Sequence, residues 1–155
     1  MTDAAKYVGR RTVVVTPDGA GGAQSMGESI VAELVAAGVE VHGVAGEHGG
    51  RPSGVASWNT CDLGSVEALD GALARIGAVV QHVFHCEPTT AAFGAVAFAA
   101  RPLMPVGGSI VAVGSVEAGV DGFVHAHAGE FAGDQIRLVV AASDDALEAG
   151  ALGLA

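Results

Sequence analysis

The sequence predicts an α/β protein built on a parallel sheet of about six strands, covered by helices on both faces. Three observations carry this. Short apolar runs recur without polar–apolar alternation, the pattern of strands buried on both sides. Segments with helical spacing separate those runs. Glycine or proline turn signals stand at the junctions.

The elements follow in order. Thr12–Thr16 (TVVVT) is a buried strand followed at once by a glycine-rich turn, Pro17–Ala23. Over Ser25–Ala37, Met26, Ile30, Val31, Leu34 and Val35 repeat at helical spacing, and Gly38 is a good stop. Val39–Ala45 reads as a second strand and Val55–Trp58 as a short third, with 46–54 a surface loop between them. Asp62–Ser65 caps a helix over Val66–Arg75. Val79–His85 is a fourth strand and Thr90–Arg101 an apolar helix ended by Pro102. Ser109–Gly114 and Ile136–Ala141 complete the six strands. Residues 1–10 read as a polar leader, and the tail from 144 as a weak helix or disordered. With no repeat or linker, the chain is expected to form one Rossmann-like, doubly wound domain over 1–155, with shortened outer helices.

At 155 residues the chain can bury a real core; half of it is apolar and 15% is charged. No apolar run suggests a membrane span, and the start has no signal-peptide core, so a cytoplasmic protein is expected. The formal charge of −10 repels a nucleic-acid backbone. Cys61 and Cys86 fall at the ends of strands that are not neighbours in a doubly wound order, so free thiols are expected.

Several segments resemble short-chain dehydrogenases/reductases, in particular the enoyl-acyl-carrier-protein reductase branch. Thr12–Val31 is similar to that branch's strand, long phosphate loop and helix start, with Ser25 and Gly27 in matching places. Cys61-Asp62-Leu63 resembles the Cys-Asp-Val after its third strand. Val83-Phe84-His85-Cys86 resembles Phe-Val-His-Ser at the end of its fourth, and Ala99–Met104 its Ala-Ala-Arg-Pro-Met-Leu. Gln135–Ala142 resembles the strand after its catalytic helix. The likeness spans roughly residues 10–142 and implies the fold, a dinucleotide held at the first turn, and an aspartate, here Asp62, near the adenine.

The departures lie where that family does its chemistry. Its acid is a tyrosine held by a lysine, but the only tyrosine here is Tyr7 and the only lysine is Lys6, both in the leader. Ser115–Gln135 looks too short for the long helix that presents the pair, and the chain stops where the family adds a last strand. Pro17 replaces the first loop glycine and removes a backbone donor, Asp18 adds charge, and no arginine stands near the second strand before Arg51. Hydride transfer by the family's machinery is therefore not expected, nor is a required cofactor. If NAD or NADP still binds, Gly19, Gly21, Gly22, Ser25 and Asp62 would hold it. Equally, the glycines could simply make a tight turn, and Asp62 could cap the next helix.

Polar residues persist at the sheet's carboxyl edge. His85 could act as acid or base there, or be satisfied by a loop carbonyl. Ser115 matches the family serine in VAVGSV and could hold a substrate carbonyl, or be a plain loop residue. His125 and His127 share a face if their segment is extended, and could move protons or, with a third ligand, bind zinc. No carboxylate or cysteine has convincing spacing, so no metal is expected.

Three function classes follow. The first, which these residues favour, is a cofactor-independent isomerase, dehydratase or cyclase using His85, Ser115, His125 and His127 on a carbonyl-containing small molecule. The site would then lie at the ends of the fourth and fifth strands. The second is an NAD(P)-dependent oxidoreductase with altered catalytic residues. The third is a non-catalytic partner of a full-length relative. The Ala/Gly/Val-rich composition suggests a high-GC bacterial source and a place in polyketide or other secondary metabolism. The helix around Ala91–Ala100 is apolar nearly all round, which predicts a homo-oligomer, most simply a dimer, or a complex with a larger relative.

Overall fold

The computed structural model describes residues 3–17, 22–46, 51–77 and 79–152. Six strands form one parallel sheet: β1 (Thr12–Thr16), β2 (Val41–Ala45), β3 (Ser57–Thr60), β4 (His82–Cys86), β5 (Gly108–Val113) and β6 (Ile136–Ala141). Their order is β3-β2-β1-β4-β5-β6, so the chain reverses its direction of travel between β1 and β4. This is the doubly wound α/β sandwich that the alternation of elements predicts.

Helices α1 (Gly22–Ala36) and α5 (Ala146–Gly150) cover one face; α2 (Val66–Ile76), α3 (Thr90–Ala100) and α4 (Ala118–Ala132) cover the other. The side-chain alternation of a strand explains the division. On β1, Val13 and Val15 enter the core under α2 and α3 with Leu69, Leu73, Phe93 and Val96. Val14 enters the opposite core with Ile30, Val31, Leu34 and Phe84. Both faces are buried, so β1, β4 and most of β5 are buried at every position.

The strands and helices fall where the sequence places them, with shifts of a few residues at their ends. One segment differs in kind. Between β5 and β6 the chain forms the fifteen-residue helix α4, although the sequence suggests a length too short for a long helix. Turns of only a few residues on either side leave room for it. Val120 and Phe131 bury its inner stripe, while its exposed face is polar, glycine or alanine.

The two chain ends pack together. Asp3–Tyr7 is a 3₁₀ turn whose Tyr7 is fully buried, with its hydroxyl donating to the Leu147 carbonyl at 2.7 Å. Arg137 Nη1 donates to the Leu152 carbonyl at 2.7 Å and Nη2 to that of Ala149, which holds the end of α5. Leu147 and Ala151 are buried in the same core as Tyr7.

The sheet's edge is held by a close approach. Gly43 on β2 pairs with Trp58 on β3, and a β-carbon at Gly43 would stand 2.0 Å from the indole ring. Gly43→Ala should therefore push the indole off the sheet. Trp58 is the only tryptophan, so the expected result is a red-shifted emission spectrum with a lowered melting temperature. An unchanged spectrum would show that the ring does not lie there.

Candidate functional site

The carboxyl ends of β1 to β4 enclose a cleft of about 300 Å³. It lies at the reversal between β1 and β4, where open α/β sheets take their ligands. Pro17 follows β1, Gly46 follows β2, and Cys61 to Gly64 follow β3. His85 to Thr89 and Ala92 supply the β4 side. Parallel strands deliver their following loops to one end, which gathers residues this far apart in sequence.

His85 is the one predicted catalytic residue on this cleft, and it is buried. Its ring lies 6.0 Å from that of Phe93, and its Nδ1 has no hydrogen-bond partner. Burial lowers its pKa from the ordinary 6.5 to about 3. The imidazole is therefore neutral at physiological pH. Loss of water around the ring disfavours its charged form, which runs against its use as a proton carrier near neutrality.

The two other side chains of note are carboxylates. Asp62 Oδ1 accepts from the Gly64 amide at 2.9 Å, a tight turn ahead of α2. The helix is capped by Ser65, whose hydroxyl accepts from the Ala68 amide at 3.2 Å. Asp62 thus shapes the cleft wall without being the cap itself. Glu87 has the left-handed φ of 45°, a strained setting for a side chain of its kind. Its carboxylate lies against Gly114, where a β-carbon would come within 2.7 Å of Oε1. Among the described residues the lining contains these two carboxylates and no arginine or lysine.

Ser115, His125 and His127 are not in the cleft lining. Ser115 follows β5 and is exposed. Its segment is drawn onto α3: Glu117 Oε1 accepts from the Thr90 amide at 2.7 Å and from its hydroxyl at 2.8 Å. His125 and His127 are on α4, not on an extended segment, and two residues along a helix they face different ways. His125 is exposed. His127 packs its ring on Phe123 at 4.4 Å and Phe98 at 5.4 Å, with Nδ1 3.3 Å from Glu130 Oε1. The extended HxH face that a shared zinc would need is therefore absent, the two histidines being helical. Of the phosphate-loop residues, Gly19 and Gly21 lie outside the described residues; Gly22 and Ser25 belong to the first turn of α1, their side chains likewise outside the description.

Neither cysteine is in a disulfide, and both line the cleft. Burial raises the Cys86 thiol to about 12, so it stays protonated. Sequence reasoning missed this pairing across one cavity, although its signal was legible: each cysteine ends a strand.

Solved structures share this architecture. The Bacillus cereus enoyl-acyl carrier protein reductase with NADP+ and indole naphthyridinone aligns with TM-score 0.67 and 19% identity, over 86% of this chain and 71% of its own. The enoyl-acyl-carrier-protein reductase of Anaplasma phagocytophilum in complex with NAD gives 0.69 and 19%, over 87% and 70%. BdcA from E. coli gives 0.70 and 18%, over 93% and 88%. The fold is that of the short-chain dehydrogenases/reductases. No family model matches the sequence, and no curated protein matches it.

Within this short-chain dehydrogenase fold Tyr7 stands far from the cleft. Its ring meets His82 edge-on at 4.7 Å, at the amino end of β4. His82 belongs to the opposite face from His85, as three-residue spacing on a strand requires. Ser109 Oγ donates to the Gly150 carbonyl at 3.0 Å, so the 2.8 Å contact with His82 Nδ1 is an N–H donated to Ser109. Burial, then the charges of Arg10 and Arg137, lower the His82 pKa to about 3. Among the described residues no helix is long and apolar enough to cross a membrane.

Two histidines buried as neutral rings fix the acid response. Their folded pKa values lie near 3 and the ordinary value is 6.5, so below that value the unfolded chain takes up protons that the fold refuses. Stability should fall from about pH 6.5 downward, with a limiting slope of about 2.7 kcal/mol per pH unit for two protons. Above pH 7 these groups contribute no slope. Urea midpoints measured from pH 7.5 to 4.5 check this, and replacing either histidine by a neutral residue should roughly halve the slope. A flat profile would mean that the rings are hydrated.

Proposed function

We propose that this protein binds a small molecule through its cleft, most simply the nucleoside end of a nucleotide, and carries no hydride-transfer chemistry. One observation supports the reading above others: the cleft presents Asp62, Glu87 and a neutral His85 and no cation. A carboxylate accepts hydrogen bonds from an amino group or a sugar hydroxyl, but repels a phosphate. Pro17 offers no N–H toward a phosphate either. Two of the solved neighbours, the enoyl-acyl-carrier-protein reductases, hold NADP+ or NAD. Carried to this chain, that binding is expected to keep the nucleoside contact and lose the phosphate contact.

Isomerase, dehydratase or cyclase chemistry is the finer reading that the sequence favours. The residues that reading names do not meet in the cleft lining, which holds His85 as a neutral ring but not Ser115, His125 or His127. A binding role fits the cleft better. Calorimetry with adenosine, AMP, NADH and NADPH tests it, and affinity should fall in that order. Asp62→Asn should weaken adenosine about 10-fold or more, the contribution of a charged hydrogen bond, and strengthen AMP. Asparagine keeps an acceptor for the Gly64 amide, so the turn survives. Low-micromolar binding of NADPH would overturn the reading.

The partner reading rests on the α3–α4 face. Phe98 is 44% exposed, with Phe123 and His127 beside it. We propose that this aromatic patch joins two copies of the chain, aromatic residues being the usual anchors of interfaces. Phe93 is fully buried, so a charge there would break the core and not the interface. Phe98→Glu should keep the circular-dichroism spectrum and halve the mass in light scattering. A wild-type monomer would exclude this contact.

A further inference from the structure

At the amino end of the sheet, opposite the cleft, three side chains form a chain of hydrogen bonds that the cleft does not use. Ser57 on β3 pairs directly with His42 on β2, and the Ser57 hydroxyl stands 2.6 Å from His42 Nδ1. His42 Nε2 stands 2.6 Å from Glu40 Oε2. Arg11 Nε meets the same carboxylate oxygen at 2.6 Å. We propose that Ser57, His42 and Glu40 form an acyl-transfer site for small, uncharged carboxylic esters.

The protons follow from the donors available. A carboxylate can only accept, so Nε2 carries the ring proton and donates it to Glu40. Nδ1 then keeps its lone pair and receives the hydroxyl proton of Ser57. That is the nucleophile–base–orienter arrangement, with the two ring nitrogens exchanged relative to the usual triad. Glu40 is held in its ionised form by the hydrogen bonds from His42 and Arg11. Arg11 also points Nη1 at the Ile76 carbonyl, 3.5 Å away, which ties the carboxylate to the end of α2. Ser57 and His42 are half-buried, which limits competition from water without closing the site.

β3 is the outermost strand, and no strand lies beyond it among the described residues, so the half-buried Ser57 hydroxyl stands beside an open edge with room for a small substrate.

The step balances without a cofactor. Ser57 Oγ bonds to the ester carbonyl carbon and its proton passes to His42 Nδ1. The alcohol leaves with that proton, giving an acyl-serine. Water then attacks the acyl group by the same route and returns Ser57 with release of the carboxylic acid.

A fluorophosphonate probe and p-nitrophenyl acetate test this on the full chain. The folded wild type is expected to take one label, mapped to the Ser57 peptide by mass spectrometry, and to hydrolyse the ester. Ser57→Ala should lose both. His42→Ala should slow turnover about 10²–10⁴-fold, the usual cost of a general base. Glu40→Gln, a positioning change, should lower kcat with KM unchanged, which a purely structural role would not do. If Ser57→Ala does not fold, the wild-type label decides alone. No label on the folded wild type, label spread over other serines, or label kept by folded Ser57→Ala overturns the proposal. The cleft is at the other end of the sheet, so failure of nucleoside binding leaves this outcome unaffected.

Discussion

Burial of the sheet on both faces is the constraint from which the rest follows. β1, β4 and β5 run between two helical layers, so no polar side chain on them reaches water. Each one must find a partner or stay neutral. His82 does the first through Ser109, and His85 does the second with an unpartnered Nδ1. Chemistry is consequently confined to places where the sandwich opens. There are two such places here: the carboxyl ends of the central strands and the exposed edge beyond β2.

The carboxyl ends show how a shared fold can part from its usual ligand. The reversal between β1 and β4 still makes a cleft, because that is a property of the strand order. What lines it depends on the loops. Here Pro17 has no backbone N–H, and Asp62 and Glu87 bring two carboxylates. Burial then removes the charge of His85, leaving a site suited to accepting hydrogen bonds. The β5 side closes differently, since Glu117 occupies the first turn of α3 and takes Ser115 with it.

The edge obeys other rules. β3 is short and half-buried, and it is secured on one side by Trp58 over Gly43 and on the other by Ser57 against His42. Side chains there can be ionised, because solvent is near and Arg11 neutralises Glu40. Hydroxyl, imidazole and carboxylate can therefore line up without the desolvation that silences His85.

Sequence alone determined the sheet. Valine-rich runs between helical segments have few other solutions, and segments such as VFHC and AARPLM carried the family's architecture with them. It also determined that the only tyrosine and the only lysine, Tyr7 and Lys6, precede β1. The tertiary structure decided what depends on burial and direction. That His85 is neutral follows from Phe93 and the surrounding core, which spacing does not reveal. That His125 and His127 diverge follows from α4 being helical, a matter of how tightly its flanking turns close. The alternation of Glu40 and His42 was visible in the chain, but Ser57 joins them only through the register of β2 with β3, and pairing register is set by packing between strands distant in sequence.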